Sequence, residues 1–243
     1  MLFAASWRAW QPAPTDPVQG GGASGERTRV LRIDLLLFEG FDELDALAPL
    51  EVWRAAGAGG APLEVTLVAP AGERPLRAAH GLRLEPQAPF PPERRPDLLL
   101  VPGGGWIAGG ARGVREELER GALPAAIAAL HRQGTTIAAV CTGALLLGAA
   151  GILAGRPAVT HHGAREALLA AGATWTPARV VDDGDVITAG GVTSGLDLAL
   201  WVLERWIDPA TALRMEVLLE YERRGTVWRR PEATPMPQPA DHG

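Results

Sequence analysis

Thr135–Leu153, TTIAAVCTGALLLGAAGIL, changes character at Cys141, the only cysteine in the chain. Before it, TTIAAV is short, apolar and partly β-branched, which is the composition of a buried strand. After it, the Ala- and Leu-rich run predicts a buried helix of about three turns. Two readings of the cysteine follow. In an apolar run it is a small, inert core filler. At a strand-to-helix turn it meets unsatisfied N–H groups that stabilise a thiolate and lower its pKa, and Gly143 permits a sharp elbow.

Working outward, Val30–Phe38 is a first strand, and FDELDALAPLEVWRAAG a loop and helix with Pro49 at an irregularity or in the first turn. Leu63–Val68 is a second strand, and Leu82–Leu84 part of a small hairpin or edge. DLLLVPGGG is an apolar strand ending in a glycine-rich turn. Helical patterning covers Val114–Glu119 and Pro124–Arg132. Ala158–His161 and Val186–Ala189 read as short strands, with REALLAAGA helical between them and DDGD a solvated turn. Gly195–Trp206 and Pro209–Tyr221 complete the helices. Strand and helix alternate, and several central strands are apolar throughout. The pattern predicts an α/β fold, a flavodoxin-like three-layer α/β/α sandwich with a mostly parallel sheet and a cysteine elbow. Ligands of such sheets bind beyond the C-terminal strand ends, where Cys141 lies.

The chain has 243 residues, enough for one sizeable domain. Residues 30–230 are expected to form that domain. Residues 1–29 and 231–243, rich in Pro, Gly, Ser and Thr, read as a peripheral or disordered extension and tail. No helix-turn-helix pattern is expected after the core. The net charge is a mild −5, and no basic stripe points to nucleic acid. One cysteine makes no internal disulfide, which fits a reducing, cytoplasmic setting. The first residues lack the basic start of a signal peptide, and no apolar run is long enough to span a membrane.

Several residues carry chemistry. The glycines of Pro102–Gly105 can turn backbone N–H groups toward the Cys141 cleft; no Walker or dinucleotide pattern accompanies them. Asp42, Glu43, Asp45 and Glu51 are acidic candidates. Asp45 reads either as a partly buried acid that holds its proton or as a helix N-cap. His161 and His162 end a short strand near the Cys141 edge, and adjacent strand residues face opposite ways. One of them could act as a base or bond the thiolate. The other histidines are scattered, and no spacing points to zinc. Trp53, Trp106 and Trp175 are candidate wall or core residues.

The strand–Cys141–helix elbow, the PGGG turn, the acidic loop after the first strand and Thr160–His161 together resemble the ThiJ/PfpI superfamily, which has a class I glutamine amidotransferase-like fold. VCTGALLLGAAGILAGRPAVTHH, ITAGGVTSGLDLALWVLE and LDALAPLEVW look like its isonitrile hydratase branch. They look equally like the ligand domain that precedes a DNA-binding module in AraC-type regulators. By that resemblance Cys141 is the nucleophile and Asp45 the acid beside it. Gly104 supplies an N–H opposite the thiol, Thr142 follows the nucleophile in an orienting position, and His161 is accessory. The late HxE pattern of the amidotransferases is missing, so glutamine hydrolysis is not implied. What is implied is a homodimer acting on a small molecule without cofactor or metal, adding water to an isonitrile to give an N-substituted formamide. Two alternatives are a non-enzymatic cysteine-based sensor and a hydrolase, deglycase or lyase acting on small carbonyl compounds.

Overall fold

β1 (Leu31–Leu36) turns Leu31, Ile33 and Leu35 to one face and Arg32, Asp34 and Leu36 to the other, and β2 and β6 flank it on its two edges. The computed structural model describes residues 29–70, 75–106 and 112–230. The terminal segments expected to be peripheral, residues 1–29 and 231–243, lie outside these residues apart from Arg29. After β1, Asp42 caps α1 (Glu43–Ala58) by accepting the Leu44 N–H at 3.1 Å. Pro49 lies inside α1 rather than in its first turn. Having no N–H, it leaves the Asp45 carbonyl without its helical partner.

β2 (Leu63–Ala69) is followed by the hairpin β3 (Leu76–Arg77) and β4 (Arg83–Leu84), then β5 (Ala88–Pro89) and β6 (Leu98–Val101). Next come α2 (Val114–Arg120), α3 (Ala122–Arg132), β7 (Thr136–Val140) and α4 (Gly143–Ala149). β8 (Pro157–Ala158), α5 (Arg165–Ala170) and β9 (Thr174–Trp175) form a small outlying unit. β10 (Val180–Asp182) and β11 (Val186–Ala189) lead to α6 (Ser194–Trp206), α7 (Pro209–Leu218) and β12 (Trp228–Arg229).

The main sheet has eight strands in the order β12-β10-β11-β7-β6-β1-β2-β5. All pairs are parallel except β10 with β11. Helices α1, α6 and α7 pack together in one layer, and α2, α3, α4 and α5 pack in the other. This is the flavodoxin-like α/β/α sandwich. The chain leaves β1 for β2 on one side and returns to β6 on the other, so the order reverses between β1 and β6. The loops leaving β1, β6 and β7 therefore open into one crevice, the usual ligand position in such a sheet.

Three local expectations are corrected. The helix after Cys141 has seven residues, about two turns, because Gly151 ends it at φ 75°. Ala158–His161 is not a strand of the main sheet. Only Pro157–Ala158 forms a strand, paired with β9, and His161 instead caps a short 3₁₀ turn. The DDGD turn is solvated only in its second half, at Gly184 and Asp185. Asp182 is buried and accepts from Trp201 Nε1 at 2.8 Å and from Arg205, while Asp183 is buried against Arg230. Those partners come from α6 and the end of β12, so local sequence does not announce them.

Gly143 shows how tightly the elbow is built. A Cβ there would lie 2.3 Å from the Val101 carbonyl oxygen and 2.7 Å from that of Pro102. The first turn of α4 thus lies directly on the end of β6. Gly143→Ala is expected to destabilise the protein by roughly 3 kcal/mol, read as a lower urea midpoint at unchanged slope. A wild-type midpoint would show that the backbone yields there.

Candidate active site

Cys141 occupies the step between β7 and α4 at φ 57°, a left-handed conformation unusual for a residue with a side chain. Its N–H donates to the Gly190 and Ala189 carbonyls at 2.9 and 3.1 Å, and its own carbonyl accepts from Thr160 Oγ1 at 2.7 Å. With the backbone held this way, Sγ receives the N–H groups of Thr142 and Val192. Val192 is itself a β-branched residue at φ 45°. Its part in the site was missed in the sequence, where GGVTSG carries no signal beyond its glycines.

Asp45 is the third residue of α1 and is fully buried (0% exposed), whereas Cys141 is 6% exposed. The N-cap reading of Asp45 fails because Asp42 holds that position. Asp45 Oδ2 accepts the Gly103 N–H at 3.0 Å, and Oδ1 has no N–H or O–H partner among the described residues. The group lying against this carboxyl is the Cys141 thiol. Burial, reinforced by the Asp42 carboxylate, pushes Asp45 up to about 8. Burial and then the adjacent Asp45 push the thiol up to about 12, against the two N–H donors. The expectation of a dipole-lowered thiol is therefore corrected: desolvation outweighs the helix start here. None of the groups acting on the thiol is a cation. At neutral pH the resting pair is a thiol beside a carboxylic acid.

The glycine turn is placed as expected but oriented differently. Gly104 N–H donates to Thr142 Oγ1 at 3.0 Å and so does not face the thiol with a free proton. A Cβ on Gly104, at φ 127°, would lie 2.3 Å from the Gly40 carbonyl oxygen, so the turn is locked to the loop after β1. Asp42 N–H reinforces this lock by donating to the Gly103 carbonyl at 2.8 Å. The donors at sulfur are Thr142 and Val192, and Gly103 and Gly104 serve to hold Asp45 and Thr142.

Cys141 and Thr142 open into a cleft of about 770 Å³, whose walls include Trp106, His161, Arg77 and Arg112. Arg115 lies over the Trp106 ring at 4.0 Å. Trp53 is core, its Nε1 donating to the Ala199 carbonyl at 3.1 Å, and Trp175 packs outside the cleft under Arg165. Glu43 is engaged with His80 at the rim, and Glu51 is exposed. His161 Nδ1 accepts the Gly163 N–H at 3.1 Å, so the proton of the neutral ring sits on Nε2. Burial, then the neighbouring His162, lowers its pKa. Neither histidine acts on the thiol. His161→Gln is expected to change turnover by less than about tenfold and to leave the pH–rate profile between pH 6 and 9 unchanged. A lost inflection in that profile would make His161 a proton carrier after all.

Among the described residues no group of three or more His, Cys, Asp or Glu is arranged to hold a metal ion, and no helix is long and apolar enough to cross a membrane.

Comparison with known proteins agrees with this fold. The model of the DJ-1/PfpI family matches residues 31–205. The chain is 34% identical over 191 residues to isonitrile hydratase of Pseudomonas putida, spanning 79% of this chain and 78% of that protein. It is 28% identical over 188 residues to the HTH-type transcriptional regulator CdhR of Pseudomonas aeruginosa, covering 74% of this chain and 52% of the regulator. The crystal structure of a ThiJ/PfpI family protein from Pseudomonas syringae superposes with a TM-score of 0.70 at 28% identity, covering 86% of this chain and 85% of that one.

Proposed function

The chain belongs to the DJ-1/PfpI family, and from that premise we propose that it is an enzyme that adds water to small isonitriles, giving N-substituted formamides through a Cys141 thioimidate. The observation that carries this reading is the buried thiol–carboxylic acid pair, with no cation acting on the sulfur. An isonitrile carbon must receive both a nucleophile and a proton, and such a pair supplies both without creating net charge in a dry site. The similarity to the Pseudomonas putida hydratase supports the same reading.

In the first step Sγ attacks the terminal carbon while Asp45 delivers its proton to that carbon. The thiol proton passes to the Asp45 carboxylate, so RNC and Cys–SH become RN=CH–S–Cys. Thr142 and Val192 N–H groups steady the sulfur as charge develops on it. Water then adds to the thioimidate carbon with Asp45 taking and returning a proton. The nitrogen gains a proton, the C–S bond breaks, and RNHCHO leaves with the thiol restored. Trp106 and His161 border the space for R. The substrate is a small molecule, and a homodimer is the expected assembly.

A ligand-sensing role is the second reading, favoured by the likeness to the HTH-type transcriptional regulator CdhR. The experiment is incubation with aliphatic and aromatic isonitriles, for example tert-butyl and benzyl isonitrile, with formamide followed by NMR. Catalytic formamide release is expected. Binding without turnover would transfer the conclusion to sensing.

A further inference from the structure

The Cys141 elbow is held by a residue that does not line the cleft. Thr160 is 1% exposed, and its hydroxyl donates to the Cys141 carbonyl at 2.7 Å. Among the described residues the only other donor to that carbonyl is the Ala144 N–H at 3.4 Å, a long contact. Thr160 is itself fixed from the sheet, because the preceding Val159 N–H donates to Thr188 Oγ1 of β11 at 2.9 Å. One continuous path therefore runs from β11 through Thr188, Val159 and Thr160 to the carbonyl of the proposed nucleophile.

A left-handed cysteine persists only when its surroundings over-determine it. The Cys141 N–H is secured by Gly190 and Ala189, and its carbonyl by Thr160. If the carbonyl anchor is removed, the peptide after Cys141 is free to rotate. That peptide carries the Thr142 N–H, one of the two donors at sulfur. The orientation of the carbonyl and the placement of this donor are thus one degree of freedom, since both belong to the same planar unit. From this we infer that Thr160 is a positioning residue: its hydroxyl sets the Cys141–Thr142 peptide plane and so holds the Thr142 N–H on Sγ. The inference deepens the proposed reaction and rests on Cys141 being the reacting group.

The test compares Thr160→Val, which keeps the shape and loses the hydroxyl, with Thr160→Ser, which keeps the hydroxyl. Two readouts are taken on the full chain: alkylation of Cys141 by iodoacetamide at pH 8.5, and benzyl isonitrile turnover. In Thr160→Val both the alkylation rate and kcat are expected to fall about tenfold with KM within twofold, because a misplaced group affects the reacting geometry and leaves the cleft walls alone. Thr160→Ser is expected to recover both to within about threefold. Should Thr160→Val fail to fold, Thr160→Ala against Thr160→Ser isolates the hydroxyl equally well. Equal alkylation rates in the Val and Ser variants, at equal thermal stability, would overturn the inference. Absence of turnover in the wild type defeats the hydratase reading alone, since alkylation reports the elbow without it.

Discussion

Cys141→Ala is expected to lower formamide production by at least about 10³-fold, to the background of isonitrile in buffer, while leaving the fold and thermal stability close to wild type. The loss of a nucleophile from a covalent mechanism removes the intermediate itself, so no remaining group substitutes for it. Cys141→Ser should be nearly as inactive, because the buried hydroxyl is a far weaker nucleophile at neutral pH. Intact-mass spectrometry gives an independent reading. Wild-type protein quenched during turnover should carry the added mass of one isonitrile, and Cys141→Ala none. Full activity in Cys141→Ala would end the covalent scheme.

The second large effect concerns Asp45. Asp45→Asn has no carboxyl proton to deliver and is expected to reduce turnover by about 10²- to 10⁴-fold, the span of a lost general acid. The pH dependence of the wild type follows from the same group. Burial raises Asp45 to about 8, so the acid form predominates at pH 7 and is lost above pH 8, and kcat/KM should fall through that region. In Asp45→Asn this fall should be absent from the residual rate.

Stability moves the other way. The unfolded chain releases the Asp45 proton near the ordinary aspartate value of 3.8, whereas the folded chain keeps it to about 8. Folding therefore takes up a proton between these values, and the Asp45 contribution to stability, complete below about pH 4, is lost as pH rises to 8. Replacing the acid by asparagine removes that loss, and Asp45→Asn is expected to be more stable than wild type at pH 9 by about 1 kcal/mol. A variant that is inactive and more stable identifies a carboxyl retained for chemistry. Thermal melts at pH 5 and pH 9 test this: a gain confined to pH 9 is expected, and a loss at both would make Asp45 a structural residue.

Much of this protein was legible in its residues. The apolar strands, the alternation with helices and the break at Cys141 define a parallel sheet and an elbow, because strand burial on two faces and helix burial on one leave different periodicities. Cys141, Asp45 and His161 stand out as site candidates in the sequence, and Trp106 as a candidate wall or core residue. What sequence alone could not supply was every relation between segments distant in the chain. Asp45 could be an N-cap or a buried acid until its place against the β6 loop was known. Thr142 and Val192, rather than Gly104, donate to the sulfur because Gly104 N–H is taken by the Thr142 hydroxyl. Asp182 and Asp183 read as a solvated turn until Arg205, Trp201 and Arg230 enclosed them.

The pKa of the thiol makes the division plainest. A helix start argues for a lowered value, and that argument is local. Burial and a neighbouring carboxyl argue for a raised value, and both belong to the assembled sandwich. Local pattern determines which elements form and where a nucleophile can sit, since it depends on neighbours along the chain. Protonation state and donor assignment depend on what surrounds a group in space, and only the tertiary structure decided them.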